Sequence, residues 1–176
     1  MTGPTDGAEA GKAPRPRDEL GRPLERGASG VPEVPPEPLP PEETLATAQR
    51  YWDMGRAFAA HEVLEARWKA SPAEERDLWQ GLAQLAVGYT HLQRGNLVGG
   101  ARLLRRGSDR MAPWVAGAPY RIDVAGLVAW ARQLAAAVDD GQLTEPLDRH
   151  GRNGRDGQPG GGGRGGPSAV PRLGPA

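Results

Sequence analysis

The chain has 176 residues, 22 of them basic and 22 acidic, and no cysteine. A formal charge of zero provides no overall field to draw it onto nucleic acid or an anionic membrane, and the lack of cysteine excludes disulfides, thiolate metal sites and cysteine nucleophiles. No apolar run approaches the ~20 residues that span a bilayer, and Met1 to Ala13 lacks the hydrophobic segment of a secretory signal. The expectation is a cytoplasmic protein without membrane contact.

Composition divides the chain into three. Residues 1–40 hold nine prolines and few large apolar groups, too few to offset the entropy of ordering, and are expected to form a disordered tail. Residues 41–141 are expected to form one helical domain. Residues 142–176 are the opposite tail, rich in Gly, Pro and Arg. Its run Gly160 to Gly163 and its triplet Arg164-Gly165-Gly166 read as a solvated linker rather than an RNA contact.

Between the tails the apolar residues recur at helical spacing, without strand alternation. The first helix is predicted from Glu42 to Met54, entered through Pro41 and closed by Gly55. The second runs from Ala57 to Ala70. Ser71-Pro72-Ala73-Glu74 has the pattern of a capping box and predicts a third helix from Ser71 to Gly95. A fourth runs from Asn96 to Met111, ahead of Pro113, and a fifth from the cap Asp123 to Val138, ending at Gly141. The fold class is therefore all-α: a five-helix bundle of antiparallel hairpins, tetratricopeptide-like in its first two pairs, which are loosely alike at a spacing of 40 residues (Ala46 with Ala86, Gly55 with Gly95, Leu64 with Leu104).

Polar residues interrupt two of these helices. From Leu78 to Gln93 there is no formal charge, so most sides of the third helix are expected to be covered. Leu78, Leu82, Leu85, Tyr89 and Leu92 form its core stripe, and Gln80, Gln84, Val87 and His91 line up nearly opposite. In the second helix the apolar arc Met54, Phe58, Leu64 and Trp68 also contains His61 and Glu65, which are adjacent at a spacing of four. A carboxylate on an apolar face needs a partner, and the candidates are His61 and the stripe on the third helix. The two polar sets are expected to meet, with Trp68 beside them.

Such a cluster can fix helix register, or it can form a small-molecule or catalytic site. It can also form a metal site through His61, Glu65 and His91, three ligands that would suit a catalytic ion. The run His61-Glu62-Val63-Leu64-Glu65 is not the zinc-protease HExxH, since Glu65 stands where the second histidine belongs. It also reverses the Glu-x-x-His order of di-iron bundles. The fourth helix carries Arg102, Arg105, Arg106 and Arg110 on its outer face, candidates for phosphate contact or simply a solvated face.

His61-Glu62-x-x-Glu65-x-x-Trp68, followed by Gln80-Gly81-x-x-Gln84-x-Ala86, His91, Gly95-Asn96 and Gly99/Gly100-Ala101-x-x-Leu104, resembles domain-of-unknown-function family 309. The resemblance covers about Ala48 to Met111. It implies a small α-helical bundle, found mostly in bacteria, without an assigned activity. The family's recurring positions correspond to His61, Glu62, Glu65, Trp68, Gln84, His91, Gly95 and Asn96.

The leading functional expectation is a helical binding or scaffold module whose groove takes a small molecule or a protein, with the binding cluster His61, Glu62, Glu65, Trp68, Gln80, Gln84 and His91. One alternative is an enzyme or metal-dependent hydrolase using His61, Glu65, Gln84 and His91. Another is a phosphate or RNA contact through the fourth-helix arginines. The residues name no cofactor.

Overall fold

The computed structural model describes residues 15–149, 151–152 and 172–174; the Gly160 to Gly163 run and the Arg164-Gly165-Gly166 triplet lie outside them. Among the described residues there are five α-helices and no strand, only one isolated bridge between Arg17 and Pro23. The helices are α1 (Pro41–Asp53), α2 (Ala57–Ala70), α3 (Arg76–Gln93), α4 (Leu97–Met111) and α5 (Val124–Asp139).

Local chemistry sets most of the ends. Asn96 caps α4 by accepting the Gly99 amide at 3.0 Å, and Asp123 caps α5 by accepting that of Gly126 at 2.9 Å. At the other ends, α1, α3 and α5 finish in Schellman turns around Gly55, Gly95 and Gly141, each at positive φ. In all three the glycine amide and the next one bond back to carbonyls in the last turn: Gly55 to Trp52 and Arg56 to Tyr51, Gly95 to Leu92 and Asn96 to His91, Gly141 to Val138 and Gln142 to Ala137.

The start of the third helix departs from expectation. Proline excludes its predecessor from helical geometry, and Ser71 is extended, with ψ 146°. Its Oγ turns back to the Arg67 carbonyl at 2.8 Å and closes α2 instead of opening α3. A turn over 72–75 follows, and the helix begins at Arg76. Glu75, not Glu74, becomes the connecting residue: its two carboxylate oxygens accept Trp79 Nε1 at 3.0 Å and the Tyr120 hydroxyl at 2.8 Å.

Consecutive helices pack on one another, with α3 enclosed between α2 and α4. The α3–α4 contact depends on two glycine pairs in antiparallel register. A Cβ on Gly107 would stand 2.9 Å from the Gly81 carbonyl, and one on Gly100 2.8 Å from the Gly88 carbonyl. The seven-residue spacing on both helices repeats the close approach two turns apart. Trp52 of α1, Tyr89 of α3 and Trp130 of α5 meet as a triangle of rings with centroids 5.7 to 5.9 Å apart, which ties the outer helices to the central one.

The apolar arc expected for α2 is corrected. Met54 is 64% exposed, and the buried residues are Ala57, Ala59, Ala60, Val63 and Leu64. Small side chains face the neighbouring helices because they allow close packing, while Phe58 and Trp68 lie at the half-buried edge. Beyond the helices, residues 15–34 run along α2. The segment after α5 returns over the Gly55 and Gly95 turns, bringing Arg149 and Pro146 against them and burying Leu143 and Leu147.

Candidate functional site

Helix α3 explains its own polar stripe. Of the residues from Leu78 to Gln93, only Gln80, Gln84, Val87 and His91 are not buried. At 3.6 residues per turn these four point within about 60° of one another. They form the uncovered strip between α2 and α4. On one flank the His61 Nδ1 of α2 lies 3.2 Å from the Ala83 carbonyl of α3. On the other, the Gln84 Cβ lies 3.2 Å from where a Cβ on Gly107 of α4 would be. The strip is thus a half-buried file in the shallow groove between α2 and α4, and the Gln84 Oε1 is buried there with no hydrogen-bond partner.

The structure joins some of the expected cluster and separates the rest. A backbone carbonyl only accepts, so His61 donates through Nδ1–H to Ala83 and keeps Nε2 as a free lone pair. Burial pushes the His61 imidazole below its ordinary range, and the Glu65 charge one turn on partly opposes this. Glu65 itself pairs with the exposed Lys69 at 3.3 Å. Glu62, about 100° around α2 from His61, lines a cavity with Arg56 and Phe58, and burial raises its carboxyl. Trp68 is half-buried, with its Nε1 unpartnered. His91 is eight residues beyond Ala83, about 12 Å along the axis, and bonds to Asn96 at the α3–α4 turn. Burial lowers this imidazole too. Among the described residues no three His, Asp or Glu side chains gather as a metal site requires, so a His61/Glu65/His91 ligand set is not assembled.

The arginine face of α4 is a second feature. Arg102, Arg105, Arg106, Asp109 and Arg110 line an open hollow of about 560 Å³. Arg105 is taken by Asp139 of α5, Arg110 by Asp77 of α3, and Asp109 by Arg132. Arg102 and Arg106 make no ion pair among the described residues.

A third feature was not legible in the sequence. The Phe58 ring of α2 is flanked by two guanidinium groups, that of Arg17 at 5.4 Å and that of Arg94 at 5.2 Å, and by the His61 ring at 5.8 Å. Three of these residues belong to helices or their caps, but Arg17 comes from the segment ahead of α1. No local pattern announces such a contact.

Residues 45–103, from α1 into α4, match the family described as "Domain of unknown function (DUF309)". The chain is 44% identical over 48 residues to "Uncharacterized protein YpuF" of Bacillus subtilis (strain 168), a stretch covering 27% of this chain and 28% of that protein. The chain therefore matches little more than a quarter of this relative's length. No solved structure matches. The segment that carries the α3 groove and residues His61, Glu62, Glu65, Gln84 and His91 lies within the span that matches the DUF309 family.

Proposed function

We propose that the domain is a cytoplasmic binding module that holds a polar partner along the α3 groove. The observation carrying this reading is the file Gln80, Gln84, Val87 and His91, the half-buried residues of a helix whose other residues from Leu78 to Gln93 are buried. Its neutral amides can both donate and accept, which suits a hydrogen-bonding partner. A binding role is favoured over catalysis because the titratable groups nearby are engaged with neighbours: Glu65 with Lys69 and His91 with Asn96.

Incorporation of a photoreactive amino acid at Val87, followed by irradiation in cells, tests the reading. We expect a discrete adduct that is lost in the Gln80→Ala/Gln84→Ala background and does not form from Ala129 on the exposed side of α5. An adduct indifferent to the double substitution, or none at all, overturns it.

A second reading has one observation in its favour. Arg102 and Arg106 share a hollow with no ion pair of their own among the described residues, and could contact a phosphate. Salt-dependent retention on immobilised RNA, lost in Arg102→Gln/Arg106→Gln, would support it.

A further inference from the structure

Residues 15–34 are more than a composition-biased lead-in, because they build a defined loop. The Asp18 carboxylate accepts the amides of Leu20 at 3.0 Å and Arg22 at 2.7 Å. The Gly21 amide bonds to the Asp18 carbonyl, Leu24 to Pro16 and Val31 to Arg17. The loop turns at Gly21, at φ +73°, and Arg17 returns a hydrogen bond to the Gly21 carbonyl at 2.7 Å.

The surface that receives this loop is equally specific. Gly21 lies flat on the Phe58 ring, where any Cβ would fall 2.2 Å from ring carbons. Arg94 donates both Nε and Nη2 to the Leu20 carbonyl. Arg56 donates to the Pro32 carbonyl at 3.1 Å. Side chains of the helical domain thus read main-chain carbonyls and a glycine. That is how a polypeptide is recognised by its backbone.

We propose that the Phe58 face of α2 is a polypeptide-docking site, and that residues 16–32 are its ligand in cis. Two observations separate a docked ligand from an integral part of the fold. The receiving residues Arg56, Phe58 and Arg94 all lie within 45–103, the span matching the family, and the loop lies wholly outside it. The loop is also shallowly seated: Leu20, Leu24, Val31 and Val34 all stay half-buried. Beneath it remains a cavity of about 240 Å³ lined by Arg17, Glu33, Arg56, Phe58 and Glu62, among others. Arg17 and Arg94 are brought together around Phe58, a like-charge arrangement that opposes tight closure. A segment with few buried apolar contacts opens at lower free energy than the core. The reading does not depend on the α3 groove, whose file Gln80, Gln84, Val87 and His91 makes none of these contacts with the loop.

The test uses the full chain carrying Gly21→Val, which removes the only residue that fits against the ring, and a fluorescent peptide of residues 15–34. Hydrogen exchange at the Leu24 and Val31 amides should be slow in the wild type and fast in the variant. The peptide should bind the variant, and bind the wild type at least tenfold more weakly, since a tethered copy competes at an effective concentration on the order of millimolar. A peptide carrying Gly21→Val should not bind, and Arg94→Gln in the variant chain should abolish binding while melting stays cooperative. If Gly21→Val perturbs the helices, Arg17→Ala/Asp18→Ala serves as the released chain. Unchanged exchange in the variant, absence of peptide binding to a folded released chain, or equal binding to wild type overturns the proposal.

Discussion

Asn96 donates its side-chain amide to His91 Nδ1 at 2.9 Å while its Oδ1 accepts the Gly99 amide at 3.0 Å, so one residue fastens the end of α3 to the start of α4. The oxygen is fixed by the Gly99 amide, so the nitrogen faces the ring. An amide nitrogen only donates, and the His91 Nδ1 must therefore be unprotonated. Asn96→Ala should lower stability by about 1 kcal/mol, the usual worth of an N-cap. His91→Ala should cost less, because the cap survives without its brace. Thermal melts of both single variants and the double variant check this, and an unchanged melting temperature for Asn96→Ala would remove the cap from the account.

Both His61 and His91 favour the neutral state in the fold. Burial is the larger cause for each. For His61, Glu65 and the Ala83 carbonyl pull the other way, while Lys69 and Arg94 reinforce burial, and for His91 Arg94 does so. Folded values below the ordinary 6.5 mean that the unfolded chain binds more protons as the pH falls past that point. Stability is then complete above 6.5 and declines as the pH drops toward each folded value. Urea midpoints between about pH 8 and about pH 5 should fall in the wild type and fall less in His61→Gln/His91→Gln. Equal slopes for the two proteins would contradict the assignment.

The residues explain which of these features could be read before the structure. Gly55, Gly95, Gly141, Asn96 and Asp123 act through backbone chemistry within their own turns, so helix ends were legible. At Ser71 two local rules compete, and the restriction imposed by Pro72 overrides the capping pattern. The polar file on α3 was visible as a file, but its meaning depends on how α2 and α4 flank it. The sequence leaves open whether it is sealed or open to solvent, and its four residues are half-buried. The buried face of α2 misled because alanines pack inward while Met54 faces solvent. Contacts such as Arg17 on Phe58 join residues far apart in sequence and leave no periodic trace.

Close packing of α3 on α4 should be sensitive at its glycines. A methyl group at Gly107 meets the Gly81 carbonyl at 2.9 Å, and backbone cannot swing aside as a side chain can. Gly107→Ala should destabilise by roughly 1–3 kcal/mol, the range for overpacking. Gly117→Ala, where nothing lies within 4 Å, is the control and should be neutral. Equal melting temperatures for the two variants would show that α4 can shift away without cost.

Glu65 separates a sealed cluster from an open one. Its side chain is 35% exposed and pairs with Lys69, itself 64% exposed. Removing it strands no buried charge. Glu65→Ala should therefore change stability by less than about 1 kcal/mol, as for other exposed pairs. A loss near 3 kcal/mol, typical of breaking a buried pair, would place the carboxylate in a closed network instead.

The far end of the chain contributes one anchor. Leu173 is fully buried, its amide donates to Gln49 Oε1 of α1 at 2.7 Å, and Gly174 lies against Leu45. The hollow beside it, about 360 Å³, is lined by Glu42, Gln49, Tyr120, Arg121 and Arg172, among others. Tyr120 and Arg121 hold φ of 59° and 56°, a left-handed geometry that L side chains adopt at a cost. Burying a leucine side chain is worth about 1.5–3 kcal/mol, an upper bound for this contact because ordering the backbone opposes it. Leu173→Asp should lower the melting temperature by a few degrees, about 2–4 °C for each kcal/mol lost in a chain of this size. Gln49→Ala should lower it less, and the two effects should not add, because either change releases the same contact. Additive effects, or a Leu173→Asp protein that melts with the wild type, would show that residues 172–174 are not held on α1.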